Sequence, residues 1–226
     1  MKILTRLAAR HSIQSEFSTE CRRCERLALF LDDVKSRHPD YHALPVPSFG
    51  AADAALLIIG LAPGMHGANR TGRPFTGDYA GLLLYQTLHK FGLASSDESI
   101  SSGDGLQLLG CRITNAVKCL PPANKPDPSE IRQCNGYLAT EIVDFVSLGG
   151  KGLLALGRVA HQAGLMALKL KDRDYPFSHG ASHALSNGLT LYDSYHCSRY
   201  NTQTKRLTTE MFEGVFSRIC ADLEIN

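Results

Sequence analysis

The sequence predicts an α/β fold, a three-layer αβα sandwich built around a central four-stranded parallel sheet. One observation carries this prediction: short apolar runs of strand length alternate with helical stretches of 10 to 20 residues. This alternation is typical of βαβ units with right-handed crossovers. The predicted strands span residues 55–61, 111–118, 152–157 and 188–198. Because ligands bind beyond the carboxyl ends of such strands, we expect the loops after Leu61, Thr114 and Tyr195 to form one site.

The predicted helices have recognisable boundaries. The first helix stops before His38 and Pro39, because the residue before a proline avoids helical geometry. Asp78 stands where the second helix begins, and Asp127 and Glu130 have the spacing of a capping box at the start of the third. The predicted helices span residues 25–37, 79–91, 128–148, 158–170 and 207–223.

Composition limits the class of protein. The 226 residues carry 24 basic and 22 acidic side chains, and this net charge of +2 gives no global attraction to nucleic acid or to a membrane. We predict one domain over residues 1–226, with residues 1–20 as a polar N-terminal extension. The first ten residues lack the apolar core of a signal peptide, so a cytoplasmic protein with reduced cysteines is expected.

A long polar loop, residues 62–78, follows the first predicted strand. Its glycines permit tight turns and close approach of the backbone to a ligand, and its His, Asn, Arg and Thr side chains supply hydrogen-bond donors. The loop has neither the G-x-G-x-x-G nor the G-x-x-x-x-G-K-[ST] signature, so an ordinary nucleotide-binding fold is not predicted. From the residues alone, Asp78 at the end of this loop can be a helix cap, a catalytic carboxylate, or both.

Four of the seven cysteines have a spacing that suits a metal site, namely Cys21, Cys24, Cys119 and Cys134. The Cys-x-x-Cys pair places two sulfurs on one ion or cluster, and two further thiolates complete a tetrathiolate site. Zinc and a [4Fe–4S] cluster both accept four soft ligands, and the spacing does not distinguish them. The alternative is that all four are structural thiols.

The loop after the fourth predicted strand, residues 195–208, is rich in cationic and aromatic side chains. Its sequence, YHCSRYNTQTKRLT, suits contact with a phosphate backbone and insertion of a side chain between stacked bases. The alternative interpretation is a solvated connector.

Together these motifs resemble the uracil-DNA glycosylase superfamily, most closely its family 5, the iron–sulfur branch. Residues 60–78, GLAPGMHGANRTGRPFTGD, are similar to the first motif of that family, and residues 196–204, HCSRYNTQT, to the second. Family 4 carries a glutamate where this chain has Leu61. Neither Leu61 nor Ala62 can act as a base, which is the family 5 pattern and moves the catalytic carboxylate elsewhere.

The resemblance implies a monofunctional glycosylase, and it implies roles for particular residues. Asp78 would stabilise the cationic sugar and orient or deprotonate the attacking water, and His196, as a neutral imidazole, would donate a hydrogen bond to the departing base. Phe75 would stack on the extruded base and Asn115 would read its edge. The implied base-binding residues are Leu61, Ala62, Gly64, Phe75 and Asn115. The implied DNA-binding residues are Arg199, Tyr200 and Asn201. The implied ligands of a [4Fe–4S] cluster, with zinc as the alternative, are Cys21, Cys24, Cys119 and Cys134.

The implied substrate is uracil in double-stranded DNA, together with other deaminated bases such as hypoxanthine and xanthine. A monomer in the cytoplasm, associated with the nucleoid when on DNA and without a membrane partner, is expected. Two rival functions stay open: a non-catalytic nucleic-acid-binding module held together by a metal or cluster, and an enzyme of free nucleosides or nucleotides. Release of free base from duplex DNA excludes the first rival, and competition by nucleosides tests the second.

Overall fold

A six-stranded mixed sheet forms the centre of the computed structural model, which describes residues 17–225. The strand order is β1-β3-β2-β4-β6-β5, and the four central strands are parallel. The strands are β1 Phe49–Gly50, β2 Leu56–Gly60, β3 Cys111–Asn115, β4 Gly152–Leu156, β5 Ser182–Ala184 and β6 Thr190–Ser194.

The predicted four-stranded parallel sheet is confirmed, with one antiparallel strand added at each edge. β1 pairs with β3 and β5 pairs with β6. Both edge strands have only two or three residues and no apolar run, so the sequence pattern does not reveal them. The predicted strands that start at residues 111 and 188 are shorter than expected, because β3 ends at Asn115 and β6 ends at Ser194.

Seven helices occur in residues 17–225. They are α1 Glu25–Arg37, α2 Ala68–Thr71, α3 Tyr79–Lys90, α4 Pro128–Ser147, α5 Arg158–Ala167, α6 Arg199–Gln203 and α7 Thr209–Leu223. The five predicted helices are present, and the capping box of Asp127 and Glu130 is formed at the start of α4. The short helices α2 and α6 lie inside the two polar loops and were not predicted.

Successive side chains of the central strands point to opposite faces of the sheet, and each face is covered by helices. Leu56 and Ile58 of β2 pack in one core cluster, which includes residues of α3 and α7. Leu57 and Ile59 pack in a second cluster with residues of α4 and α5. Helices on both faces of a mostly parallel sheet make three layers, so the predicted αβα sandwich is confirmed.

The carboxyl ends of β2, β3 and β6 lie at the same edge of the sheet, and this edge carries the two polar loops. Gly60 of β2 lies opposite Asn115 of β3. Beyond β3, the backbone amides of Ala116 and Val117 donate to the carbonyls of Gly60 and Leu61, at 2.9 and 3.0 Å. The start of the first polar loop is therefore fastened to the segment that follows β3.

Residues 1–16 of the predicted N-terminal extension lie outside the described residues, and the single-domain assignment stays a prediction. Within residues 17–225, no helix is both long enough and apolar enough to cross a membrane.

Candidate active site and cysteine site

A cleft of about 400 Å³ opens at the carboxyl edge of the sheet. It brings together all seven residues predicted for catalysis and base binding, which come from both polar loops and from the end of β3. These residues are Leu61, Ala62, Gly64, Phe75, Asp78, Asn115 and His196. The expected convergence of three loops at one edge is present in the structure.

Asp78 both caps a helix and lines the cleft. Its Oδ1 accepts a hydrogen bond from the backbone amide of Gly81 at 2.9 Å, which satisfies a free amide in the first turn of α3. Its Oδ2 lies so close to Gly67 that a side chain at that position would collide with the carboxylate. Burial raises the pKa of Asp78, and hydrogen bonds from the Gly81 and Ala80 amides oppose this rise. The carboxylate is therefore held in place and poorly solvated.

Phe75 is held in a conformation that side chains rarely adopt. Its φ is +53°, in the left-handed region, where a bulky residue persists only when its surroundings enforce it. A Cβ on Gly60 would lie 2.7 Å from the Phe75 ring, so glycine is required for this close approach. The ring stacks on the imidazole of His196, with centroids 5.9 Å apart and planes 29° apart. The two rings together form an aromatic wall of the cleft.

Two polar atoms of the cleft residues lack partners. Asn115 Oδ1 and His196 Nδ1 are buried and have no hydrogen-bond partner within residues 17–225. Burial lowers the pKa of His196 to about 4, so its imidazole is neutral at physiological pH. Buried polar groups are normally hydrogen-bonded, and an orphaned pair in one cleft is typical of a site that is completed by a ligand.

The predicted DNA-binding residues lie on the short helix α6. Arg199 lines the cleft and lies over the ring of Tyr79 at 5.8 Å, and the side chain of Tyr200 is 71% exposed. The amide nitrogen of Asn201 donates to the carbonyl of His196 at 2.8 Å. Arg199 and Tyr200 are thus available at the surface, whereas Asn201 holds the backbone of the second motif.

Sequence reasoning missed five residues that line the cleft: Ala68, Tyr79, Ala80, Asn124 and Ser198. Asn124 has a φ of +55° and lies in the proline-rich loop between Cys119 and α4. The sequence offers one signal for it, an amide side chain alone among prolines and a lysine, and that signal is weak. Tyr79 follows Asp78 directly, and helical periodicity assigns it to an exposed helix face.

The four predicted metal-ligating cysteines line one largely apolar cavity. Two come from the segment before α1, one from the segment after β3 and one from α4; they are Cys21, Cys24, Cys119 and Cys134. Burial raises the pKa of Cys134 to about 11 and that of Cys119 further, and the neighbouring thiolates add to the rise. The Tyr137 hydroxyl donates to Cys21 Sγ at 3.2 Å, and the Lys118 amide donates to Cys134 Sγ at 3.3 Å.

These residues fit a tetrathiolate group. Four soft sulfur donors face one cavity, and hydrogen-bond donors already point at two of the sulfurs, as is common around metal-bound thiolates. Among residues 17–225, however, no three His, Cys, Asp or Glu side chains are arranged to hold a single metal ion.

Comparisons with known proteins agree with this geometry. A model of the uracil DNA glycosylase superfamily matches residues 47–220, which include every cleft residue named above. A type-5 uracil-DNA glycosylase of Thermus thermophilus is 47% identical over 199 residues, or 86% of this chain and 90% of that protein. A type-5 uracil-DNA glycosylase of Mycobacterium tuberculosis is 41% identical over 203 residues, or 87% and 75%. A type-4 uracil-DNA glycosylase of Archaeoglobus fulgidus is 31% identical over 143 residues, or 63% and 57%.

Proposed function

The chain belongs to the uracil-DNA glycosylase superfamily, in its type-5 branch, and on that premise we propose that it removes uracil from DNA by hydrolysing the N-glycosidic bond. The observation that carries the proposal is the cleft, which is lined by a half-buried carboxylate, a neutral imidazole and an amide with an orphaned oxygen. We further propose that the substrate is double-stranded DNA. Because a base inside a duplex cannot reach this cleft, the nucleotide must be flipped out first.

Asp78 and His196 divide the chemistry between them. As the bond between C1′ and the base breaks, positive charge develops on the sugar and the bonding electron pair moves to the base. The Asp78 carboxylate stabilises the sugar cation and accepts a proton from the water that attacks C1′. The neutral His196 imidazole donates a hydrogen bond to the base anion, since a group with a pKa of about 4 stays uncharged during turnover.

Phe75 and Asn115 bind the flipped base. The wall of Phe75 and His196 offers aromatic faces for stacking, and the orphaned Oδ1 of Asn115 can accept a hydrogen bond from a ring N–H of uracil. No lysine lines the cleft within the described part of the chain, which supports a hydrolytic reaction without a Schiff base.

Leu61 and Ala62 offer only apolar side chains to the cleft, which supports acceptance of hypoxanthine and xanthine beside uracil. The experiment that tests the proposal measures free base release from uracil, hypoxanthine or xanthine in duplex DNA, in single strands and as free nucleosides. We expect release from duplex DNA, with uracil as a substrate. Binding without release favours a non-catalytic nucleic-acid-binding module, and release from free nucleosides alone favours a nucleoside enzyme.

Asn124 is proposed to hold the attacking water together with Asp78. Replacing Asn124 with alanine is expected to lower the single-turnover rate of uracil release by about 10²-fold, the usual cost of removing one positioned donor. The Kd for DNA should change little, because the substitution removes no charge from the rim of the cleft. Rapid quench of the reaction at enzyme excess measures the rate, and Asn187→Ala, in the turn before β6, serves as the control. An unchanged rate in Asn124→Ala would remove this role.

Arg199 is proposed to contact a DNA phosphate and Tyr200 to fill the gap left by the flipped base. Replacing Arg199 with alanine should weaken DNA binding and reduce the slope of log K against log salt by about one. Titration of labelled duplex at several salt concentrations measures this slope. Arg218→Ala is the matched control, because Arg218 is an exposed arginine of α7 that does not line the cleft and pairs with Asp222 at 3.6 Å. Equal slopes for wild type and Arg199→Ala would contradict the assignment.

The cysteine site is proposed to hold a [4Fe–4S] cluster, bound by Cys21, Cys24, Cys119 and Cys134. Four soft sulfur donors line one cavity, and hydrogen-bond donors already point at two of them, which suits a tetrathiolate cluster; the resemblance to the iron–sulfur branch of the family favours four irons over zinc. When bound, the cluster supplies covalent links between the segment before α1, the segment after β3 and α4. We also propose that the protein acts as a monomer on nucleoid DNA in the cytoplasm.

A further inference from the structure

The residue three positions before His196 in the chain belongs to a buried ion pair. His161 of α5 and Asp193 of β6 are both fully buried, and His161 Nδ1 lies 2.7 Å from Asp193 Oδ1. The other ring nitrogen, Nε2, lies 2.8 Å from the carbonyl oxygen of Tyr175. A carbonyl oxygen and a carboxylate oxygen only accept hydrogen bonds, so both ring nitrogens must donate. This geometry requires a doubly protonated, positively charged His161.

The groups around His161 favour that charge. Asp172 Oδ1 lies 3.5 Å from His161 Nε2 and adds a second negative charge, although Arg158 lies 3.8 Å from the same carboxylate. Burial lowers the pKa of His161, but the hydrogen bond and the charge of Asp193 outweigh burial, and the net pKa is raised. His183 Nε2 lies 3.5 Å from Asp193 Oδ2, and neither atom has a hydrogen-bond partner within the described residues.

His179 has the opposite protonation state. Its Nδ1 accepts a hydrogen bond from the backbone amide of Tyr195 at 3.2 Å, and a nitrogen that accepts carries no proton. The imidazole also stacks on the ring of Tyr195 at 5.1 Å, and the guanidinium of Arg206 lies 4.7 Å from that ring. Burial lowers the pKa of His179, against a hydrogen bond to the Met211 backbone, so a neutral ring is favoured.

The His161–Asp193 ion pair and the hydrogen bond of His179 both hold the chain just before His196. The backbone amide of Asp193 donates to the carbonyl of Ala181 at 3.0 Å, and Gly180 donates to the Asp193 carbonyl at 2.9 Å. The segment from Tyr175 to His183 is thereby tied to the end of β6 by main-chain bonds, by the ion pair and by His179. A shift of about 1 Å in a catalytic group can cost about 10²-fold in rate, so this fastening bears on catalysis.

We propose that His179 and the His161–Asp193 ion pair are positioning residues for His196, and that they hold it in place only while His179 is neutral and His161 is charged. The inference rests on the proposed role of His196. None of these three side chains lines the cleft: His179 acts through the backbone of Tyr195, and the ion pair acts through the end of β6.

His179 loses its hydrogen bond at low pH, whereas His161 loses one of its hydrogen bonds at high pH. When the pH falls through the lowered pKa of His179, Nδ1 gains a proton and can no longer accept from Tyr195. When the pH rises through the raised pKa of His161, one ring nitrogen loses its proton and a hydrogen bond to Asp193 or Tyr175 is lost. His196 is therefore best placed between these limits.

The first test is independent of activity. NMR of the whole protein with isotope-labelled histidine reads the protonation state of each ring nitrogen at neutral pH. We expect two protonated nitrogens on His161, and a single protonated nitrogen on His179 with Nδ1 bare. A neutral His161, or a proton on His179 Nδ1, overturns the proposal. This readout holds whether or not the chain releases uracil.

The second test uses variants. His179→Ala should lower the single-turnover rate of uracil release by about 10²-fold at unchanged DNA affinity. His179→Asn should retain most of the rate, because its Oδ1 can accept from Tyr195. The ratio of the His179→Asn rate to the wild-type rate should rise as the pH falls, because asparagine does not titrate.

His89→Ala is the matched control for His179→Ala. His89 is an exposed histidine of α3 whose ring nitrogen bonds the Ala94 carbonyl at 3.0 Å, and we expect a wild-type rate. Equal losses in His179→Ala and His179→Asn, or no loss in His179→Ala, overturn the proposal. If the wild type itself releases no uracil, the proposed function fails, and the NMR result still decides the protonation states.

Discussion

Replacing Asp78 with asparagine is expected to lower the single-turnover rate of uracil release by about 10²–10⁴-fold, the usual contribution of a positioned acid–base group. Asparagine has nearly the same shape but can neither accept the proton of the attacking water nor oppose the charge on the sugar. DNA affinity should be unchanged or slightly higher, because a negative charge near the DNA backbone is removed. Rapid quench and DNA titration of the same preparations measure both quantities.

The same substitution should leave the protein at least as stable as the wild type. Asparagine caps helices as well as aspartate does, so the bond to the Gly81 amide is retained. Burial raises the pKa of Asp78 above its unfolded value, so the folded state loses stability as the pH rises through this range. The gain from Asp78→Asn should thus be largest at neutral pH and vanish in acid. Thermal unfolding across pH measures it.

Asp127→Asn is the matched control for Asp78→Asn. Asp127 is also the N-cap of a helix, α4, but it lies outside the cleft and pairs with Arg26 at 3.2 Å. The Asp127→Asn substitution should leave the rate of base release unchanged. An Asp78→Asn protein with the wild-type rate, or one whose lost rate is matched by Asp127→Asn, would refute the catalytic assignment.

Replacing Cys134 with serine is expected to have the largest effect on stability. The variant should lose bound iron and acid-labile sulfide, and its free energy of unfolding should fall by about 4 kcal/mol or more, as is typical when a structural metal group is lost. The cost is high because the cluster would link two loops and a helix, and because serine leaves a hard hydroxyl among soft thiols. Metal analysis and denaturant unfolding measure the two effects.

Cys220→Ser is the control for the cysteine site. Cys220 is half-buried at the edge of the first core cluster and has no part in the cavity of the four cysteines. The Cys220→Ser protein should retain its full iron content, and its free energy of unfolding should fall little. Zinc in place of iron in the wild-type protein would favour the zinc alternative, and Cys134→Ser protein with a full complement of metal would contradict the ligand assignment.

The sequence predicted the site well where the functional residues lie close together in the chain. Residues 60–78 hold the end of a strand, a glycine turn, an aromatic residue and a capping carboxylate in one stretch, so their joint purpose is visible without a structure. The apolar strands alternate with helices, and burial of both faces of a parallel sheet leaves few other arrangements. Because so few arrangements remain, the sandwich was predictable, and so was a cleft at the carboxyl edge of its sheet.

Other features depend on contacts between distant residues, and no local pattern encodes them. His161 and Asp193 are 32 positions apart, and helical periodicity treats the histidine as an ordinary core residue. Asn124 enters the cleft because its loop turns through left-handed backbone conformations that its prolines do not specify. The two edge strands exist only as partners of β3 and β6, and so they follow from the assembled sheet.

The most direct test of the proposed reaction is incubation with a duplex that carries one G·U pair, with the products identified by mass spectrometry. A reaction in which water activated by Asp78 attacks C1′ predicts free uracil and an intact strand that carries an abasic sugar, with much slower release of uracil by Asp78→Asn. Strand cleavage with an adduct that borohydride traps, or an intact duplex with no uracil released, would contradict it.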